Sequence, residues 1–161
     1  MFALRCTQKL LDRLHVSPDP APVPPDTVLG DWYTNLVRAG RTQVVLAVSE
    51  RTLLPVVVPA REGRTVARRV AEAVETLLLA IGIPAELATA ERDAMQDAVI
   101  AKTASRRVLG SLNDLAFQLQ VGLHHFPDRT LLAQSLWLAQ TPLKLIEYGS
   151  PDRATLVAFV A

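Results

Sequence analysis

Three strand-like runs followed by a change to helical spacing predict a single α+β domain, a mixed or antiparallel sheet of about four to five strands covered by helices. The runs are Trp32–Val37, Thr42–Val48 and Leu53–Val58, and the change falls at about residue 63. The 161 residues suit one domain and are short for two. Half the residues are hydrophobic and 20% are charged, a balance that supports a packed core.

Taken in order, Phe2-Ala3-Leu4-Arg5 is short enough to be an edge strand. Thr7 can cap a helix that carries Leu10, Leu11 and Leu14 on one face. The stretch from Ser17 to Pro25 is dense in proline, which excludes helix and predicts an extended connector. It carries no aromatic or basic flank that would mark a ligand for a proline-recognition module. Ala39-Gly40-Arg41 is a plausible turn joining the first two runs into a hairpin. The run Val44–Val48 is apolar on both faces and should be central, whereas Pro55 puts its strand at an edge or a bulge. From Arg64 to Ile81, Val66, Val70, Val74, Leu77, Leu78 and Ile81 share a helix face, and Arg68 can pair with Glu72 on the other side.

Gly82 should end that helix and Pro84 start another, running to about Met95. Asp97–Lys102 reads as a strand. Ser111 and Asp114 have capping-box spacing, so a helix is expected to start there and to stop at Gly122. Asp128 can cap the next helix, with Leu131, Leu132, Leu136 and Ala139. Ser150-Pro151 opens a C-terminal segment that suits a helix and, from Thr155 to Val160, suits a strand nearly as well.

Composition narrows the function classes. Seventeen Lys and Arg against sixteen Asp and Glu leave a formal charge of +1, so any pull toward nucleic acid needs a local patch. The single cysteine, Cys6, excludes an intramolecular disulfide and a cysteine-based zinc knuckle. No apolar run reaches the roughly 20 residues of a membrane span, and the N-terminus lacks a signal-peptide layout. The chain therefore reads as cytoplasmic, without a membrane partner. No G-x-S-x-G elbow, phosphate-binding loop, G-x-G-x-x-G or H-E-x-x-H signature occurs. His124 and His125 are adjacent, so their side chains diverge on regular structure, and neither a metal nor another cofactor is expected. Cys6 could act as a nucleophile only beside a histidine; at a strand end it reads as a packing residue.

One stretch stands out. Lys102, Arg106 and Arg107 precede Gly110 and the expected helix start at Ser111, where free N–H groups and the helix dipole favour an anion. The plainer reading is that Ser111 and Asp114 only cap a helix while the cations are solvated. Trp32 and Tyr33 are neighbours on a strand and point to opposite faces. Either one is exposed for stacking or contact, or a helix on the second face buries both. Glu50 and Arg51 lie between strands, and with Arg5, Lys9 and Arg61 they would make a basic surface if those ends converge.

Four stretches carry a family resemblance: Arg5-Cys6-Thr7-Gln8-Lys9-Leu10-Leu11, Gly30-Asp31-Trp32-Tyr33, Ser49-Glu50-Arg51-Thr52-Leu53-Leu54-Pro55-Val56-Val57 and Val108-Leu109-Gly110-Ser111-Leu112-Asn113-Asp114. Together, in this order, they resemble a bacterial family classed only as a domain of unknown function. The resemblance implies a small stand-alone protein and no assigned activity, cofactor or catalytic residue. The proline-rich Ser17–Pro25 connector departs from the family pattern, which makes it a poor functional candidate.

The residues point to a small non-enzymatic binding protein that engages nucleic acid or a protein partner through a basic, polar face. That face would draw on Arg5, Lys9, Arg51, Lys102, Arg106, Arg107, Ser111 and Asn113. One alternative is an enzyme acting on a phosphorylated or nucleotide substrate at the same place, with Glu50 or Asp114 as base. A second is a homodimeric interaction module joined through an exposed apolar helix at Leu131–Ala139.

Overall fold

A computed structural model describes residues 1–161 except Glu62 and Ala161. Five strands form one mixed sheet: β1 (Phe2–Cys6), β2 (Trp32–Ala39), β3 (Thr42–Ser49), β4 (Pro55–Pro59) and β5 (Ala98–Lys102), in the order β4-β3-β2-β1-β5. The meander β2-β3-β4 is antiparallel, and β1 runs parallel to both β2 and β5. Six helices cover it: α1 (Gln8–Leu14), α2 (Val66–Ala80), α3 (Ala85–Ala94), α4 (Arg106–His125), α5 (Leu131–Leu138) and α6 (Pro151–Val160). The domain is α+β, as the periodicities predict, and its C-terminal segment is helical.

Both sheet faces are covered, so Trp32 and Tyr33 are both buried, at 0% and 2% exposure. Trp32 joins Leu4, Val45, Val56, Val70 and Leu77 in one core, and Tyr33 joins Leu46, Val57, Leu112, Leu115 and Leu119 in the other. Gly40, at φ +60°, takes the first position of the two-residue β2–β3 turn. β3 is internal, consistent with its two-faced apolar run.

Several boundaries differ from the expectations. β1 is not an edge: with Phe2, Ala3, Leu4 and Cys6 all buried, it lies between β2 and β5. β4 starts at Pro55 because Leu53 takes a left-handed turn conformation, φ +61°. α4 begins five residues before Ser111. Ser105 is extended (φ −87°, ψ 118°) and its hydroxyl accepts from the Val108 N–H, so Ser105 is the cap and Ser111 is buried inside the helix. Gly122 does not end α4. A Cβ there would lie 2.5 Å from Gln134 Oε1 and 2.8 Å from the Trp137 ring, so this glycine allows α4 and α5 to approach closely. Thr130, not Asp128, caps α5, accepting from the Ala133 N–H at 3.0 Å.

Each sheet edge is protected. The Ser49 N–H donates to the Leu54 carbonyl, which sets the alternation along the β3–β4 ladder and turns the backbones of Pro55, Val57 and Pro59 outward. Two of these have no N–H, and the Val57 N–H donates to the Ser135 hydroxyl of α5 at 3.1 Å. Along β5 the proline-rich segment runs as a strap, with Asp19 N–H donating to the Ile100 carbonyl at 2.7 Å and Asp26 N–H to the Met1 carbonyl at 3.2 Å.

Candidate functional site

The strand directions define two ends of the sheet. At the lower end β1, β2 and β5 begin, β3 finishes and β4 starts. Here a knot of buried polar groups holds the loop that leads into β2. The Asp31 carboxylate, 3% exposed, accepts from the Ala3 N–H at 2.8 Å and from Arg5 Nε at 3.0 Å. Glu50 Oε1 accepts the Asp31 N–H, and it fills the space where a Cβ on Gly30 would sit. Gly30, at φ +77°, is thus required twice over, by backbone conformation and by contact. The Ser49 hydroxyl donates to the Leu29 carbonyl, and the Arg51 guanidinium donates to the carbonyls of Thr27 and Val28. From α3, the buried Glu91 accepts the N–H groups of Val28 and Leu29 at 2.8 and 2.9 Å. Burial raises the Glu91 carboxyl above its usual range, against the opposing pull of those two N–H groups and of Arg51.

This knot accounts for the Gly30–Tyr33 and Ser49–Leu54 motifs as architecture. It also corrects the expected basic face. Arg51 lies at the lower end, away from Lys102 and Arg106, and is engaged with backbone carbonyls. Arg5 is tied to Asp31 and donates to the Lys102 carbonyl at 3.0 Å. Glu50 serves the lower knot, so it has no place beside the cations of the other end. Ser111 is only 7% exposed.

The upper end, where β1, β2, β4 and β5 finish, is different. Lys9 and Arg13 lie on α1, which starts where Thr7 caps it over the end of β1 and reaches Gly63 through Leu14. Arg38 precedes the hairpin turn and Arg41 is its second residue, and Arg61 and Arg64 follow β4. Lys102 closes β5, and Arg106 and Arg107 begin α4. All nine of these cations are exposed, and none forms an ion pair among the described residues. The described carboxylates on these elements are Asp12 on α1 and Asp114 on α4, with Asp19 on the neighbouring strap. Lys102 lies between two shallow clefts, one of about 440 Å³ walled by the strap and Arg5, the other walled by α1.

The structure thus brings Lys9, Lys102, Arg106 and Arg107 to one end, with Asn113 exposed further along α4. Arg61, also anticipated, lies there too, and four further cations, Arg13, Arg38, Arg41 and Arg64, carry no local sequence signal. They are scattered singly along the chain, and only the topology gathers them.

Two other candidates resolve simply. Cys6 is buried, its thiol donating to the Leu4 carbonyl, with the Thr34 hydroxyl 3.2 Å away. Burial pushes this thiol up to about 11, against a smaller opposing pull from the Thr34 hydroxyl. The folded protein should react with iodoacetamide at pH 8 at least about 100-fold slower than free cysteine, and full reactivity should return in urea; mass spectrometry of the adduct checks this. His124 and His125 close α4 with their rings edge to face, 4.9 Å apart. Among the described residues, no three of His, Cys, Asp and Glu gather as a metal site. No helix there is long and apolar enough to cross a membrane. The Leu131–Ala139 segment is apolar and only partly exposed: Gln134, Ser135, Leu138 and Ala139 are buried where α5 covers β4, Leu131, Leu136 and Trp137 are half-buried, and Leu132 is exposed.

A family model matches the chain over residues 3–154. The chain belongs to the family described as Domain of unknown function (DUF6933). No curated protein and no solved structure matches it. For this DUF6933 chain, the matched span takes in both the lower knot and the elements that carry the upper cations.

Proposed function

We propose that this protein binds nucleic acid through the upper end of its sheet. The observation that carries the reading is a set of nine exposed cations, none in an ion pair among the described residues, spread from the ends of β1 and β5 to the β2–β3 hairpin on a chain whose formal charge is only +1. Ordinary surfaces intersperse the two signs, and a one-sided excess concentrates a positive field. The cations are spread over α1, the hairpin and the start of α4, and the clefts beside Lys102 are open to solvent. A phosphate backbone fits such a surface better than a small enclosed ligand does.

Fluorescence anisotropy with labelled 20-nucleotide single strands and duplexes tests this. Binding is expected at about 50 mM salt and should weaken steeply toward 200 mM. Changing Arg106→Ala and Arg107→Ala together should flatten the log–log salt slope by about 1–2 and leave the melting temperature nearly unchanged, because both side chains are exposed. Absence of saturable binding by the unmodified protein at low salt would overturn the reading. The same substitutions with the slope intact would remove these arginines from it.

A favoured second use of the same surface comes from the location of the 440 Å³ cleft at the ends of the adjacent parallel strands β1 and β5, with Arg5 and Lys102 on its wall. Crevices at such strand ends commonly hold ligands. A phosphorylated small molecule there would bind saturably in calorimetry and would be lost in Lys102→Ala.

A further inference from the structure

The outer face of α4 carries more than charge. Arg106, Gly110, Asn113, Phe117, Gln120 and His124 recur at helical spacing and are all exposed, forming one outward stripe. Phe117 stands in its middle and is 63% exposed, on a helix whose opposite face buries Leu112, Leu115 and Leu119. Three residues on, Gln120 Nε2 donates to the Arg38 carbonyl at 3.0 Å, which ties the stripe to the backbone of β2 beside the hairpin. Arg106 lies about 16 Å back along the helix axis. The ring therefore shares one exposed helix face with Arg106. At Gly110 no heavy atom lies within 4 Å of where a Cβ would be, so the space above the helix is open there. Asp114, one turn before Phe117, is the carboxylate on this face.

A duplex presents only phosphates and groove edges to a surface of this kind, and an exposed ring adds little to its binding. A single strand presents unpaired base faces, which stack on aromatic side chains while flanking cations hold the phosphates. We infer that the nucleic acid bound is single-stranded and that Phe117 is the stacking platform for one of its bases. The inference rests on the nucleic-acid reading above. Base recognition by the ring is sequence-tolerant, because every base has a π face.

The test compares the unmodified protein with Phe117→Ala, Phe117→Trp and the Arg106→Ala, Arg107→Ala pair, on a labelled single-stranded 20-mer and its duplex, with sedimentation on each protein. Phe117→Ala is expected to weaken single-strand binding about 5- to 100-fold, the range of one base–aromatic stack, with duplex binding and the salt slope unchanged. Phe117→Trp should restore or strengthen it. The arginine pair should instead lower affinity for both forms and flatten the slope. Unmodified protein that binds neither form overturns the nucleic-acid reading together with this inference. Salt-dependent binding that Phe117→Ala leaves intact, or weakens equally for duplex, overturns the stacking role alone. A dimer that Phe117→Ala converts to monomer identifies the ring as a subunit contact and likewise overturns it.

Discussion

Replacing Asp31 by alanine is expected to destabilise the fold by about 3–5 kcal/mol, the range for breaking one partner out of a buried ion pair. Its carboxylate is 3% exposed, and the Arg5 side chain it neutralises is 19% exposed. The change leaves that guanidinium without its counter-charge and also orphans the Ala3 N–H in the middle of an interior strand. Asp31→Asn keeps an acceptor for one of the two donors and should cost distinctly less. Urea denaturation of both variants checks the order. Equal losses would show that the charge, and not the retained acceptor, carries the whole effect.

Glu91→Ala should cost about 3 kcal/mol, because two backbone N–H groups, Val28 and the buried Leu29, lose a charge-assisted partner at once. The pH dependence has a definite sign. The folded-state carboxyl is raised above 4.5, so between the unfolded and folded values the native protein holds the proton more tightly than the unfolded chain does. The contribution of Glu91 to stability therefore falls as pH rises through that window and is constant above it. Glu91→Gln removes this falling limb, and melts taken across that pH range in the two proteins should diverge there.

How far the sequence could be read depended on whether the signal was local. The β3 run Val44–Val48, the turn at Gly40 and the apolar face of α2 each declare themselves within a few residues, and each formed as expected. The start of α4 was harder, because Ser105 and Ser111 both precede residues that can follow a cap. Only the extended backbone at Ser105 decides between them. Gly122 reads as a stop signal in one dimension, whereas in three it is a contact with Gln134 and Trp137. The basic surface shows the same limit. Arg51 and Arg5 looked available because nothing nearby in the chain pairs with them; their partners lie 20 or more residues away, at Thr27, Val28 and Asp31. Conversely, Arg13, Arg38, Arg41 and Arg64 reach the upper end only through the crossing of strands.

The interior position of β1 sets a timetable for synthesis. One of the two neighbours of this strand is β5, made long after it, and the Arg5 side chain meets the Lys102 carbonyl 97 residues later. At about 5–20 residues per second, a ribosome takes roughly 5 to 20 s to supply that neighbour. Through that interval β1 presents an unpaired, apolar flank. The strap that later guards β5 has already emerged but has no strand to guard. Slow elongation between residues 7 and 97 should therefore lower the soluble yield more than slow elongation after residue 102.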